Sequence, residues 1–151
     1  MTRFRFRLAR VFDWYKKQSD LETEHLRVCV ERVAQTKGQI ERHASDILAR
    51  QMELINSPEP GALELASLGP FLRQAKQHEL QLLRTLQRCE QELERQRGTC
   101  QLAQRRLRLV EKLRERRLAE HEYEESKELE MLASEAYLAR FINTLSEDTS
   151  T

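Results

Sequence analysis

The sequence predicts an all-α fold: an antiparallel two-helix coiled-coil hairpin with a longer second helix overhanging at the C-terminus. Three observations predict it. A heptad seam runs unbroken through the second half, a matching seam runs through the first, and one dense cluster of helix breakers separates them. A stripe that repeats every 3.5 residues is too narrow to face a broad core, and it is buried only against another helix of its kind.

The second seam is the stronger. Alternate steps of four and three residues land on Leu68, Leu72, Ala75, Glu79, Leu82, Leu86, Cys89, Leu93, Gln96, Cys100, Ala103, Leu107 and Val110, and only Glu79 and Gln96 are neither apolar nor cysteine. The first seam reads Leu8, Phe12, Tyr15, Ser19, Glu22, Leu26, Val30, Val33, Lys37, Ile40, Ala44, Ile47, Gln51 and Leu54, with a break at Ser19 and Glu22. Helix one is expected from about residue 3 to about 56. Asn56-Ser57-Pro58-Glu59-Pro60-Gly61 follows. Ser57 before Pro58 reads as an N-cap with proline at the first helical position, so a short helix is expected over roughly 58–68. Gly69-Pro70 should end or kink it before helix two, expected over about 70–146, with a disordered tail at about 147–151. The whole is one coiled-coil domain over residues 1–151.

Register follows from the connection. With a tip centred near residue 63, residue i faces about residue 126 minus i, and helix two has no partner after about residue 123. At 1.5 Å per residue the overhang is roughly 35 Å. After Val110 the frame meets Arg114 and Arg117, and apolar residues resume out of phase at Leu118, Leu129 and Leu132. Such an insertion relaxes the left-handed supercoil. Towards the end Ala133, Tyr137, Phe141 and Leu145 make a fresh apolar stripe, expected to be exposed, and an amphipathic helix without a partner is marginal in water.

Composition agrees with long solvated helices. Hydrophobic residues are 39% and charged residues 34%, with four glycines and three prolines, and mean hydropathy is −0.73. A formal net charge of +1 gives no whole-chain case for nucleic acid. Cys29, Cys89 and Cys100 are odd in number and form no CxxC pair, which suits a reducing compartment. No apolar run nears the roughly 20 residues that span a bilayer. The start, MTRFRFRLAR, lacks the apolar core of a secretory signal. A cytoplasmic protein is expected.

Charges on helix two are segregated. Arg95, Arg97, Arg105, Arg106, Arg108, Lys112, Arg114, Arg116 and Arg117 form a basic block against only Glu111 and Glu115, and Glu120, Glu122, Glu124, Glu125, Glu128, Glu130 and Glu135 an acidic one against Lys127. Pairs one helical turn apart account for single residues, each at about 0.3–0.5 kcal/mol, but not for the sorting by sign. In the expected register Arg3, Arg5, Arg7 and Arg10 lie near Glu120, Glu122 and Glu125.

No constellation for catalysis, cofactor or metal is found. His25, His43, His78 and His121 are dispersed, no HExxH or CxxC pair occurs, and the glycines are isolated, so no phosphate-cradling loop forms. An enzyme and a small-molecule substrate are not expected. The basic stretch could mimic a DNA-reading helix, but such regions precede their zipper and this one follows its seam. Phe4, Leu8, Val11 and Tyr15 could rest on anionic lipid, although coiled-coil packing suits them better.

The two ends carry a resemblance. FRFRLARV at the N-terminus and VEKLRERRLAEHEYEESKELEMLASEAYLARF, from Val110 to Phe141, resemble the opening and the C-terminal signature of the flagellar FliJ family of bacterial type III export. The resemblance implies a helical hairpin like the central stalk of rotary ATPases. It also implies the partners: the hexameric export ATPase, the cytoplasmic domain of the large export-gate membrane protein, and export chaperones. Carried onto this chain, it makes Arg114, Arg116, Arg117, Glu122, Glu124, Glu125 and Glu128 the ring-facing candidates. It implies flagellum biogenesis and motility as the setting, at the cytoplasmic face of the inner membrane. No matching motif lies around Ser57 to Pro70, so gate contacts are not assigned. An injectisome stalk and a dimeric scaffold joined through Tyr137, Phe141 and Leu145 are the alternatives.

Overall fold

The computed structural model describes residues 3–148, with side chains through residue 145. It is all-α: helix α1 spans Ala9–Asn56 and helix α2, the longer, spans Ala62–Asp148. No strand occurs among the described residues. Contacts divide the chain into two units, Lys17–Gln104 (the seam unit) and Met1–Lys16 with Arg105–Thr151 (the end unit).

In the seam unit α1 and α2 form an antiparallel hairpin. Gln96 Nε2 donates to the Glu22 carbonyl at 3.1 Å, Thr23 Oγ1 lies 3.7 Å from Cys100 Sγ, and His43 Nε2 donates to the Ala75 carbonyl at 2.9 Å. Arg32 pairs with Glu92 at 3.7 Å, and the Arg50 guanidinium sits 5.0 Å over the Phe71 ring. Facing residue numbers total 118 to 124, a few below the expected value. The shift comes from the connection. Instead of a tip with its own helix, only Ser57–Gly61 separates α1 from α2, so the turn is centred earlier.

Two local signals misled the sequence reading here. Ser57 and Pro58 do not start a helix; α2 begins at Ala62, where the Gly61 carbonyl accepts the first bond, from Leu65 N at 3.1 Å. Gly69-Pro70 does not end one either, since Pro70 lies inside α2. Proline there removes one backbone bond at a cost of about 3 kcal/mol. Half-buried Leu68, Phe71 and Leu72 flank it, and their packing offsets that loss.

All thirteen seam positions of α2 are buried or half-buried, and between Leu68 and Val110 only Phe71 joins them. On α1 the seam departs from the expected one after Leu26. Val30, Lys37 and Ala44 are exposed, and Cys29, Thr36 and His43 take the inward places. The true frame keeps strict three–four alternation from Phe12 to Ile47. The two polar residues that replace expected seam positions on α1 are satisfied: Thr36 Oγ1 donates to the Arg32 carbonyl at 2.8 Å, and His43 donates across the pair. Two of the seam breaks of the sequence, Glu22 on α1 and Gln96 on α2, face each other, and Gln96 also donates to the Glu22 carboxylate. A polar layer of this kind fixes register.

In the end unit the chain from Arg3 to Leu8 is not helical, and α1 begins at Ala9 rather than near residue 3. Arg3, Phe4, Arg5, Phe6, Arg7 and Leu8 alternate charged and apolar, which is the period of an extended strand. Phe4 and Phe6 are half-buried while Arg3, Arg5 and Arg7 are exposed. Two bonds turn the segment into α1: Ala9 N to the Phe6 carbonyl at 3.2 Å and Phe12 N to the Leu8 carbonyl at 2.9 Å. The disordered tail expected from residue 147 is helical to Asp148, and residues 149–151 lie outside the described residues.

Candidate functional site

The end unit gathers the charged and aromatic residues that the sequence singled out. Non-helical residues 3–8 lie along the stretch of α2 from Leu113 to Glu124, and both line one groove. Phe4 meets the His121 ring edge-to-face at 5.6 Å. Farther along, the Arg114 guanidinium stands 5.4 Å over the Phe12 ring. The two contacts match the expected register, since 4 with 121 and 12 with 114 total 125 and 126. Cations over aromatic faces contribute about 0.5–1 kcal/mol at exposed sites. The segment is therefore held by rings and arginines where the seam unit is held by aliphatic layers.

Electrostatics within the groove are mixed. Arg3, Arg5 and Arg7 share it with Glu120 and Glu124; of the acids expected beside them, Glu120 lines the groove, whereas Glu122 and Glu125 do not. The ion pair that Glu120 makes is with Arg117 of its own helix, at 3.0 Å. It is exposed on both sides, and such pairs contribute about 0–1 kcal/mol.

The seven ring-facing candidates do not share one environment. Arg114 is engaged with Phe12, Arg117 with Glu120, and Glu124 lines the groove. Glu125 is half-buried. Arg116, Glu122 and Glu128 point to solvent, with the Glu122 carbonyl accepting from Ser126 Oγ at 2.9 Å. Beyond Glu125 every residue to Leu145 is exposed, including Leu132, Tyr137 (70%), Phe141 (52%) and Leu145 (51%). The apolar stripe is broader than the four residues expected, because Leu129, Met131, Leu138 and Ile142 are exposed as well.

Sequence reasoning missed the contact of Phe4 with His121. The signal was present: six residues alternate with period two at the N-terminus, and the expected register already set Phe4 level with His121. Among the described residues no group of three His, Cys, Asp or Glu side chains could hold a metal ion. No helix there is long and apolar enough to cross a membrane. No family model, curated protein or solved structure matches this chain.

Proposed function

We propose that this chain is a non-enzymatic stalk or adaptor of a bacterial flagellar type III export apparatus. In this reading the end unit docks in the ring of a hexameric export ATPase. The chain links that ring to the large export-gate membrane protein and to export chaperones. The protein is then peripheral at the cytoplasmic face of the inner membrane, at the flagellar base. One observation carries the reading: the two segments that resemble the FliJ family, at opposite ends of the sequence, line a single groove. Beside it Arg116, Glu122 and Glu128 are free to meet a charged ring lining. Contacts between solvated charges of this kind are salt-sensitive.

The test is stimulation of the cognate export ATPase by the purified chain. The expected result is faster ATP hydrolysis that falls as salt rises. Truncation after Arg117 should abolish ring binding, and undiminished binding by that truncation rejects the docking end.

The exposed apolar residues from Leu129 to Ile142 favour a second reading, a scaffold that pairs with its own copy. It predicts a dimer at micromolar concentration by sedimentation, whereas the stalk reading predicts a monomer until the ring is present. An injectisome stalk would fit the same geometry and is separated by which ATPase responds.

A further inference from the structure

The corrected frame of α1 brings a third cysteine onto the seam. On α1 the inward residues one heptad apart are Glu22, Cys29, Thr36 and His43; on α2 they are Gln96, Cys89, Leu82 and Ala75. Two of these four layers are fixed by direct hydrogen bonds, Gln96 to the Glu22 carbonyl at 3.1 Å and His43 to the Ala75 carbonyl at 2.9 Å. Both helices run without interruption between those layers. The layer one heptad in from Glu22 and Gln96 is Cys29 opposite Cys89. We propose that these two thiols are a redox-sensitive pair, joined across the helices by a small disulfide oxidant of the glutathione type. The proposal does not depend on the stalk reading.

Geometry singles out this pairing. Cys89 and Cys100 lie on one helix eleven residues apart, about 16 Å, whereas a disulfide needs Cα atoms within about 7 Å. The register sets Cys29 level with residues 89 to 95, which leaves Cys100 at least five residues, or about 8 Å, farther along. Cys100 is also buried, 3% exposed, with its sulfur 3.7 Å from Thr23 Oγ1 and 3.6 Å from Gln104 Nε2. Cys29 and Cys89 are free and only half-buried, so a small reagent reaches them when the helices breathe.

The reaction is thiol–disulfide exchange in two steps. One cysteine thiolate attacks a sulfur of glutathione disulfide, forming a mixed disulfide and expelling one glutathione thiolate. The facing thiolate then attacks the protein sulfur of that mixed disulfide and expels the second. Two protein thiols are oxidised, one glutathione disulfide is reduced, and the two protons leave with the two glutathiones. Holding the thiols in one layer gives the second step a high effective concentration.

The test oxidises the folded full-length chain with glutathione disulfide, quenches, and digests with trypsin. The three cysteines fall in three peptides, Val28–Arg32, Cys89–Arg95 and Gly98–Arg105. The expected product is a monomer two mass units lighter in which the first two peptides are linked. It should persist in C100S and vanish in C29S and C89S. Oxidation in urea supplies the contrast. Loop closure there favours the short Cys89–Cys100 loop over the Cys29–Cys89 loop by about 13-fold, so the dominant link should switch on unfolding. The oxidised chain should also melt on the order of 10 °C higher, because the link closes a loop of about 60 residues. A folded chain that links Cys100, forms only intermolecular bridges, stops at mixed disulfides or stays reduced overturns the pair.

Discussion

The two units are built from the same pair of helices and hold together by different means. The seam unit contains all five buried residues of the described chain: Ser19, Val33, Thr36, Ala75 and Cys100. The end unit has none and relies on Phe4 set against His121 and on Phe12 set against Arg114. Aliphatic layers one heptad apart repeat and reinforce one another along a helix, whereas a few ring contacts do not. Stability should therefore concentrate in the seam unit, and adaptable surface in the end unit. That division suits a chain that keeps its own fold while offering one end to a partner.

The largest effect expected is from a charge placed in the seam. Val33 is 8% exposed, and Val33→Asp buries a carboxylate with no partner, so thermal or urea unfolding should show a loss of about 3 kcal/mol or more. Leu132, 61% exposed on α2 of the end unit, is the matched control. Leu132→Asp should change stability by less than about 0.5 kcal/mol. Equal losses at the two sites would erase the contrast between the units.

A gain of similar size is expected at the start of α2. Gly69 and Pro70 are helical, and a Cβ at Gly69 meets nothing within 4 Å. Gly69→Ala with Pro70→Ala should raise the stability of the seam unit by roughly 3 kcal/mol, read from the urea midpoint. An unchanged midpoint would mean that Pro70 fits its site without strain.

The polar layer comes next. A double-mutant cycle on Glu22→Ala and Gln96→Ala should return a coupling of about 1–2 kcal/mol, because Gln96 donates to the Glu22 carboxylate; its bond to the Glu22 carbonyl survives Glu22→Ala and stays outside the coupling. Removing both groups should also loosen register, seen as broadened amide resonances along α1. In the end unit, Arg114→Gln should cost about 0.5–1 kcal/mol and speed amide exchange from Ala9 to Tyr15 alone, since the Phe12 contact is local.

How far the sequence showed this contrast depends on chemistry as well as on pattern. The α2 seam was legible because eleven of its thirteen residues are apolar or cysteine, so hydrophobicity and spacing agreed. The α1 seam was lost at Cys29, where the more apolar Val30 drew the frame over by one residue. Lys37 and Ala44 then followed in place of Thr36 and His43. Those polar residues are tolerated inside because carbonyls of Arg32 and Ala75 accept their protons, which no hydropathy value records. Strict alternation was the better guide. At the N-terminus the reverse occurred: a helical period was imposed on Arg3–Leu8, where charge alternation signalled an extended chain. Which side chains of the charged blocks stay free was not legible, since it depends on whether a ring or an opposite charge happens to lie in reach.

The smallest effect expected sharpens the comparison within the seam unit itself. Arg27 bonds to Glu24 at 2.7 Å and also to Glu31, with all three groups about half exposed at the side chain. The hydrogen bond from Arg27 holds the Glu24 carboxyl below its ordinary value. A carboxyl lowered in the folded state adds stability above its unfolded-state value and loses it as pH falls through the folded one. The contribution should be present at neutral pH and absent in strong acid. Solvent screens the pair, so Glu24→Gln should leave the melting midpoint unmoved within error at either extreme. The bond should show instead as a Glu24 carbon resonance titrating below the ordinary glutamate value. In about 1 M salt, where the screening length is roughly 3 Å, that difference should shrink. A Glu24→Gln loss as large as that at the Glu22–Gln96 layer would mean that surface charge, and not the seam, holds this hairpin together.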